Sequence, residues 1–385
     1  MNTALTEEQQ MIQDTARQFA QNELLPNAAK LDQGDGQDIL LNNLKQLAEL
    51  GFMGLSINGE YGGTEAGSVA FSLAITEIAK GCASTAVTTS VTNMVAEVVQ
   101  AVGNEEQKQK YITKICSGEY PAAGFCLTEV EAGSDPAGMK TSAIKDGDEY
   151  ILNGSKMFIT SAEYAGVFVV WAVTDATAKK GKGISCFLVE NGTPGLIVGP
   201  AEHKMGQKAS ATNEVRFEDC RIPASALMGK ENDGFRVAVA ELAGGRIGIG
   251  SLALGIGLAA MDYARDYISQ RKQFDQELSK FQGLQWILAD RYTDLEAARL
   301  LLMNAACLKE QGQAFSKQAS MAKLFASEKA NIACYDALQM LGGYGYIKEY
   351  PLERLTRDVR ITSIYEGTSE IQRIVIAREL LKEIA

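Results

Sequence analysis

The 385-residue chain has one histidine, His203, and two tryptophans. A single imidazole argues against a His-ligated metal centre or a Ser-His-Asp triad, and no metal is expected. The seven cysteines, at 82, 116, 126, 186, 220, 307 and 334, form no C-x-x-C pair and are odd in number. That pattern predicts reduced thiols, buried as small hydrophobes in a cytoplasmic protein. No apolar run reaches the roughly 20 residues of a membrane span. The longest, 247–261, is rich in Gly and Ala, and no membrane insertion is expected. Nor is a targeting segment expected, since Thr6-Glu-Glu-Gln9 already has the form of a helix capping box. Positive charge is scarce: 37 Lys and Arg stand against 48 Asp and Glu, a formal charge of −11. This argues against nucleic acid or an anionic membrane as partner. The phosphate-binding G-x-x-x-x-G-K-[ST] loop and the G-x-S-x-G elbow are also missing.

What is present is enough for a large core. Hydrophobic residues make up 46% and charged residues 22%, an ordinary globular balance. Three segments differ in pattern: 1–120, 121–232 and 233–385. In the first, Met11, Ile12, Ala16, Phe19 and Ala20 fall at helical spacing before Pro26 closes the segment. Leu40, Leu41, Leu44, Leu47 and Leu50 repeat the pattern up to Gly51. Asn104, followed by two Glu, opens another helix that ends near Gly118. In the second, Val, Ile, Phe and Thr dominate. Asp146-Gly147 and Asn153-Gly154 are expected as turns between strands, and 166–173 and 184–189 as buried strands. In the third, the helical period returns in long Leu/Ala/Met-rich stretches, with a final helix starting near residue 370. The expected architecture is a multidomain α+β protein: an N-terminal helical domain, a barrel- or sandwich-like middle β domain and a C-terminal four-helix bundle.

Three clusters carry chemistry. In Cys126-Leu-Thr128-Glu-Val-Glu-Ala-Gly133-Ser134-Asp135, Gly133 lets backbone approach a ligand, and Thr128 and Ser134 offer hydroxyls. An acidic turn of ordinary kind has the same composition. Gln339-Met-Leu-Gly342-Gly343-Tyr-Gly345, followed by Arg354 and Asp358, places three glycines at a helix end. Their N–H groups could hold a pyrophosphate, or simply cap the helix. In Ile364-Tyr365-Glu366-Gly367-Thr368-Ser369-Glu370-Ile371-Gln372, Ser369 with Gln372 resembles a capping box. Glu366 then lies on an irregular segment where a desolvated carboxylate could act as a general base. Gly248-Ile-Gly250-Ser-Leu-Ala253 matches the dinucleotide pattern G-x-G-x-x-A. It follows a helix rather than a strand, so close helix packing is the expected reading.

Together the three clusters resemble the acyl-CoA dehydrogenase family, motif by motif and in order along essentially the whole chain. The resemblance implies FAD as cofactor and a homotetramer built as a dimer of dimers. It implies that Phe125, Leu127, Thr128, Gly133 and Ser134 line the flavin and pyrophosphate, with Phe158, Ile159 and Thr160 against the ring. Arg271, Gln282, Gln339, Gly342 and Gly343 would reach the FAD of a neighbouring subunit, and Thr368 and Glu370 its adenosine end. Glu366 would be the catalytic base that removes the α proton of an acyl thioester. Ser134, Arg246, Tyr365 and Gly367 would contact substrate. Some family members carry the base just before the position of Arg246; here that residue is Gly245, which cannot serve. Ala243 stands where short-chain members often have Asp, and Phe158 where many have Trp. The implied activity is α,β-dehydrogenation of a short-chain or short branched-chain acyl-CoA, in fatty-acid β-oxidation or branched-chain amino-acid catabolism. Its electrons would pass to an electron-transferring flavoprotein. Two alternatives are an enoyl-CoA reductase on the same scaffold and a non-catalytic CoA-binding helical scaffold.

Overall fold

Thr6 opens the first helix in the expected way. Its hydroxyl accepts from the Gln9 N–H at 3.1 Å while the Gln9 side chain accepts from the Thr6 N–H at 3.1 Å. The structure, a computed structural model, describes residues 4–34 and 36–384. The first three residues and the last of the chain, which the expected terminal domains include, lie outside the described residues, as does residue 35.

The N-terminal helices are α1 (Glu7–Phe19), α2 (Ala28–Asp32), α3 (Gln37–Glu49), α4 (Gly67–Gly81), α5 (Ala83–Val102), α6 (Glu105–Gln107) and α7 (Thr113–Cys116). Pro26 does not end the helical path. It occupies the start of a 3-10 turn, Leu25–Asn27, where its missing N–H costs nothing, and α2 follows directly. α4 and α5 are buried on nearly every face, which explains why their sequences carry Ala, Val, Ser and Thr all round rather than one apolar stripe.

The middle segment forms β1 (Ala122–Cys126), β2 (Ser142–Asp146), β3 (Glu149–Thr160), β4 (Ala165–Val173), β5 (Ile184–Glu190), β6 (Leu196–Ala201), β7 (Thr212–Pro223) and β8 (Leu227–Met228). They lie in one sheet of order β6-β7-β3-β2-β4-β5-β8, with β1 beside β4. β4 is apolar on both faces because both are covered. Val167, Val169 and Trp171 pack toward the helices with Ile112 and Val237. Phe168, Val170 and Ala172 face the sheet's own interior with Tyr150, Phe187 and Phe217. The Asp146-Gly147 turn joins antiparallel β2 and β3, with Gly147 at φ +60°. Asn153-Gly154 is different: it lies inside β3. The β3–β7 register slips between Leu152 and Gly154, and Gly154 takes φ +143°. A Cβ there would stand 2.7 Å from Thr141 Cα, so this Asn-Gly is a bulge that admits a neighbouring backbone, not a turn.

The C-terminal helices are α8 (Gly234–Gln270), α9 (Gln282–Glu310), α10 (Ser316–Met340), α11 (Leu352–Arg360) and α12 (Ser369–Lys382). α8 is long and apolar enough to cross a membrane, yet 78% of its apolar window is buried within the protein, which makes it the central core helix. The dinucleotide-like glycines lie inside it. A Cβ at Gly250 would meet Leu302 Cδ2 at 2.6 Å, and one at Gly255 the Thr76 carbonyl oxygen at 2.3 Å. Glycine is used there for close helix approach. α12 is capped one residue earlier than expected: Thr368, not Ser369, accepts from the Ile371 N–H at 3.3 Å. Thr and Ser are near-equal caps, so only the backbone path decides between neighbours.

Candidate active site

The segment between α11 and α12 passes Tyr365, Glu366 and Gly367 across the face of α8. Glu366 has φ +52° and Gly367 φ +92°. A left-handed non-glycine residue costs about 1–2 kcal/mol and persists only where surroundings enforce it. They do so here. The Gln372 side-chain amide donates to the Glu366 carbonyl at 3.2 Å and to the Gly367 carbonyl at 2.9 Å. Lys323 Nζ donates to the same Gly367 carbonyl at 2.8 Å. Tyr365 Oη accepts from Gln207 Nε2 at 3.2 Å, and the Gln207 N–H donates to buried Asp358 at 2.5 Å.

The turn delivers the Glu366 carboxyl against Gly245 of α8 and Met94 of α5. A Cβ at position 245 would lie 2.4 Å from Glu366 Oε2 and 2.7 Å from Met94 Sδ. Oε2 is buried and has no hydrogen-bond partner. Burial pushes the Glu366 carboxyl up to about 7, against the pull of Lys323 and Arg246 toward the ionised form. The Glu366 main-chain N–H donates to no group among the described residues. Arg246 is buried beside it on α8. Its Nη1 donates to Ser320 Oγ at 3.1 Å and more weakly to Ser316 Oγ, while its Nε has no partner. Ser369 Oγ and Gln372 Oε1 are also buried and partnerless. Such atoms are rare in native proteins, and four gathered around one turn mark a place that a ligand or water completes.

The second group of expected residues lies on the middle domain. Phe125 is the next-to-last residue of β1, with its ring 4.4 Å from that of Trp171. The Thr128 carbonyl accepts from the Met157 N–H at 2.8 Å, which brings the loop after β1 beside Phe158. Phe158 has φ +60° and is 61% exposed, an apolar ring left facing outward. Ile159 turns its side chain into the sheet interior, so it can meet a ligand only through its main chain. Leu127 is buried, and Gly133 and Ser134 are exposed. Sequence reasoning missed what holds this loop. Lys156, fully buried, donates to Glu129 Oε1 at 2.7 Å and to the Leu127 carbonyl at 3.3 Å. Glu129 in turn accepts from the N–H groups of Lys140 and Thr141. Burial opposes both charges; the partnership and the N–H donors leave the Glu129 carboxyl below its usual range. A strand Lys at an inward position was the available signal.

The third group gathers at the far end of α8 and α10. The Arg271 guanidinium lies 5.6 Å over the Tyr344 ring, Gln282 opens α9, and Gln339 is in the last turn of α10. None of these is bonded to the Glu366 turn. Gly342 and Gly343 are exposed, and a Cβ at either would meet nothing, so their backbones are open. Thr368 is committed to its cap, and Glu370 is exposed in the first turn of α12. Open glycine backbones suit a pyrophosphate, and an outward aromatic beside a hydroxyl-bearing loop suits a flat heteroaromatic ring, so the residues present fit a flavin dinucleotide.

A carboxyl oxygen buried without a partner, with flavin-compatible loops on a separate β domain, fits the class of flavin-dependent oxidoreductases. The comparisons with known proteins make this specific. The N-terminal, middle and C-terminal domains of acyl-CoA dehydrogenase match residues 6–119, 124–220 and 232–381. The chain belongs to the acyl-CoA dehydrogenase family, and it is an FAD-dependent enzyme. It is 45% identical to the acryloyl-CoA reductase (NADH) of Anaerotignum propionicum, over 99% of this chain and 96% of that one. It is 43% identical to the short-chain specific acyl-CoA dehydrogenase of Clostridium acetobutylicum, over 99% and 100%. A solved structure described as the electron transferring flavoprotein of Acidaminococcus fermentans contains a chain 44% identical to it, with a TM-score of 0.96, over 99% and 100%.

Proposed function

We propose that the enzyme oxidises a short-chain or short branched-chain acyl-CoA to its trans-2-enoyl thioester, with Glu366 as the base. The reading rests on one observation: a buried, partnerless carboxyl oxygen at 366, Oε2, pressed toward a glycine on α8. The thioester carbonyl makes the α C–H weakly acidic. Glu366 Oε2 takes that proton, and its raised proton affinity, near neutrality, matches the task. The free N–H of Glu366 donates to the thioester oxygen as negative charge develops there. Oε2 is buried beside Met94 and Gly245 of α8, and that desolvation keeps the base strong. Phe125, Leu127, Thr128, Gly133, Ser134, the Phe158–Thr160 main chain and, from a second subunit, Arg271, Gln282, Gln339 and Gly342–Gly343 would hold FAD, which when bound would supply the hydride acceptor. Thr368 and Glu370 would serve its adenosine end, and Ser134, Arg246, Tyr365 and Gly367 would contact the CoA ester.

A homotetramer, a dimer of dimers, would bring the third group onto a neighbour's flavin. Exposed Trp286, Ile332 and Tyr335 on α9 and α10 supply apolar surface for it. An electron-transferring flavoprotein is the proposed acceptor, in keeping with the solved structure described as one that contains so similar a chain. The free cysteines fit the cytoplasm.

In the purified holoenzyme, anaerobic butyryl-CoA should bleach the flavin. Glu366→Gln should bind the ligand and stay yellow; bleaching at the native rate would remove Glu366 from the role. The relative named acryloyl-CoA reductase favours a second reading, in which protonated Glu366 gives its proton to the α carbon of an enoyl thioester and a reduced flavin, when bound, would supply the hydride to the β carbon. Initial rates in the two directions, with the same flavoprotein carrier and with NADH supplied, decide between them.

A further inference from the structure

Lys323 sits midway along α10 with a fully buried side chain. It makes no ion pair within 4.0 Å among the described residues, and its one hydrogen bond goes to the Gly367 carbonyl at 2.8 Å. Burial of an ammonium on such slight terms is costly, so nearby opposite charge must support it. Four charged groups act on it: Glu366 on the turn, Arg246 on α8, Glu328 on its own helix and Glu370 on α12. Glu370 is exposed and Glu328 half-buried. Arg246 is a like charge, and buried. Glu366 has the largest influence of the four. α8 makes room for this lysine with glycine: a Cβ at Gly250 would stand 3.4 Å from Lys323 Cα.

We propose that Lys323 is a positioning residue for proton transfer: through the Gly367 carbonyl it holds the left-handed turn that aims Glu366 at α8, and it supplies buried positive charge to that carboxyl. The proposal rests on the reading of Glu366 as the base. Each partner moves the other as this requires. Burial drives Lys323 down to about 8 and Glu366 up to about 7, and each charge opposes the other's shift. Arg246 acts on Glu366 in the same sense, and Tyr365, which feels the Glu366 charge, is itself pushed up by burial. Gln372 holds the same Gly367 carbonyl, and that of Glu366, without charge, which separates geometry from electrostatics.

The test uses the FAD-loaded enzyme and two readouts. One is the acid limb of the pH profile for flavin reduction by butyryl-CoA. The other is the infrared band of the protonated Glu366 carboxyl, assigned by its loss in Glu366→Gln. Lys323→Gln should move both to higher pH by about one unit or more. Gln372→Leu should slow reduction and leave the limb in place. An unmoved carboxyl titration in folded Lys323→Gln overturns the proposal. Should Lys323→Gln not fold, the double variant Lys323→Gln/Glu366→Gln must fold, because the stranded charge is then gone; its failure to fold also overturns the proposal. Were Glu366 not the base, Glu366→Gln would still bleach, while the infrared titration would report on the lysine regardless.

Discussion

Gly245→Ala is the sharpest perturbation the structure offers. The added methyl would lie 2.4 Å from Glu366 Oε2, where an ordinary contact needs about 3.4 Å, so the carboxyl must retreat by about 1 Å. Met94 Sδ, 2.7 Å away, ends a flexible side chain and can swing aside. Glu366 cannot do so freely, because its turn is tied by Gln372 and Lys323. A misplacement of about 1 Å costs on the order of 100-fold in rate. Stability should move little: alanine gains about 1 kcal/mol over glycine in a helix interior, and the clash offsets it. Stopped-flow flavin bleaching by butyryl-CoA, beside a thermal melt, measures both. The expected result is a melt within a few degrees of native and a rate down by about two orders of magnitude. A native melt with a native rate would show that the carboxyl does not work from this position.

Two further outcomes follow from the buried charges. Lys156→Met would leave Glu129 buried without its cation, at a cost of about 3–5 kcal/mol in denaturant unfolding, and would free the loop carrying Thr128, weakening FAD retention on dialysis. Native stability would mean that Glu129 is satisfied by its N–H donors alone. Glu366→Gln should melt higher than the native protein in alkaline buffer. The folded-state proton affinity of Glu366 is raised, from 4.5 to about 7. Its contribution to stability is therefore complete below about pH 4.5 and is lost as the pH rises through about 7. The gap between the two melts should open across that window and vanish in acid; a constant gap would refute the desolvation argument.

The site borrows stability from the rest of the fold. A positive φ, an unpaired carboxyl and two buried cations are each unfavourable alone. They coexist because α4, α5, α8 and α10 form one continuous apolar core that fixes the surrounding backbone.

Much of this was decided locally, and the chain alone determined it. The long helices follow from Leu/Ala/Met at 3.6-residue spacing. The capping boxes at Thr6 and Asn104 need only four residues each. β4 and β5 follow from unbroken apolar, β-branched runs of strand length. The three clusters could be read because each packs its defining residues into a short stretch. Contacts across hundreds of positions could not be read that way. Asn153-Gly154 suits a turn or a bulge equally, and only pairing with β7 and the approach of Thr141 chose the bulge. The partnership of Lys156 with Glu129, the crowding of Gly245 by Glu366 and the reach of Lys323 to Gly367 join residues that share no local pattern. Desolvation is a property of everything that surrounds an atom, so the proton affinity of Glu366 exists only once α5, α8, α10 and α12 have closed around it.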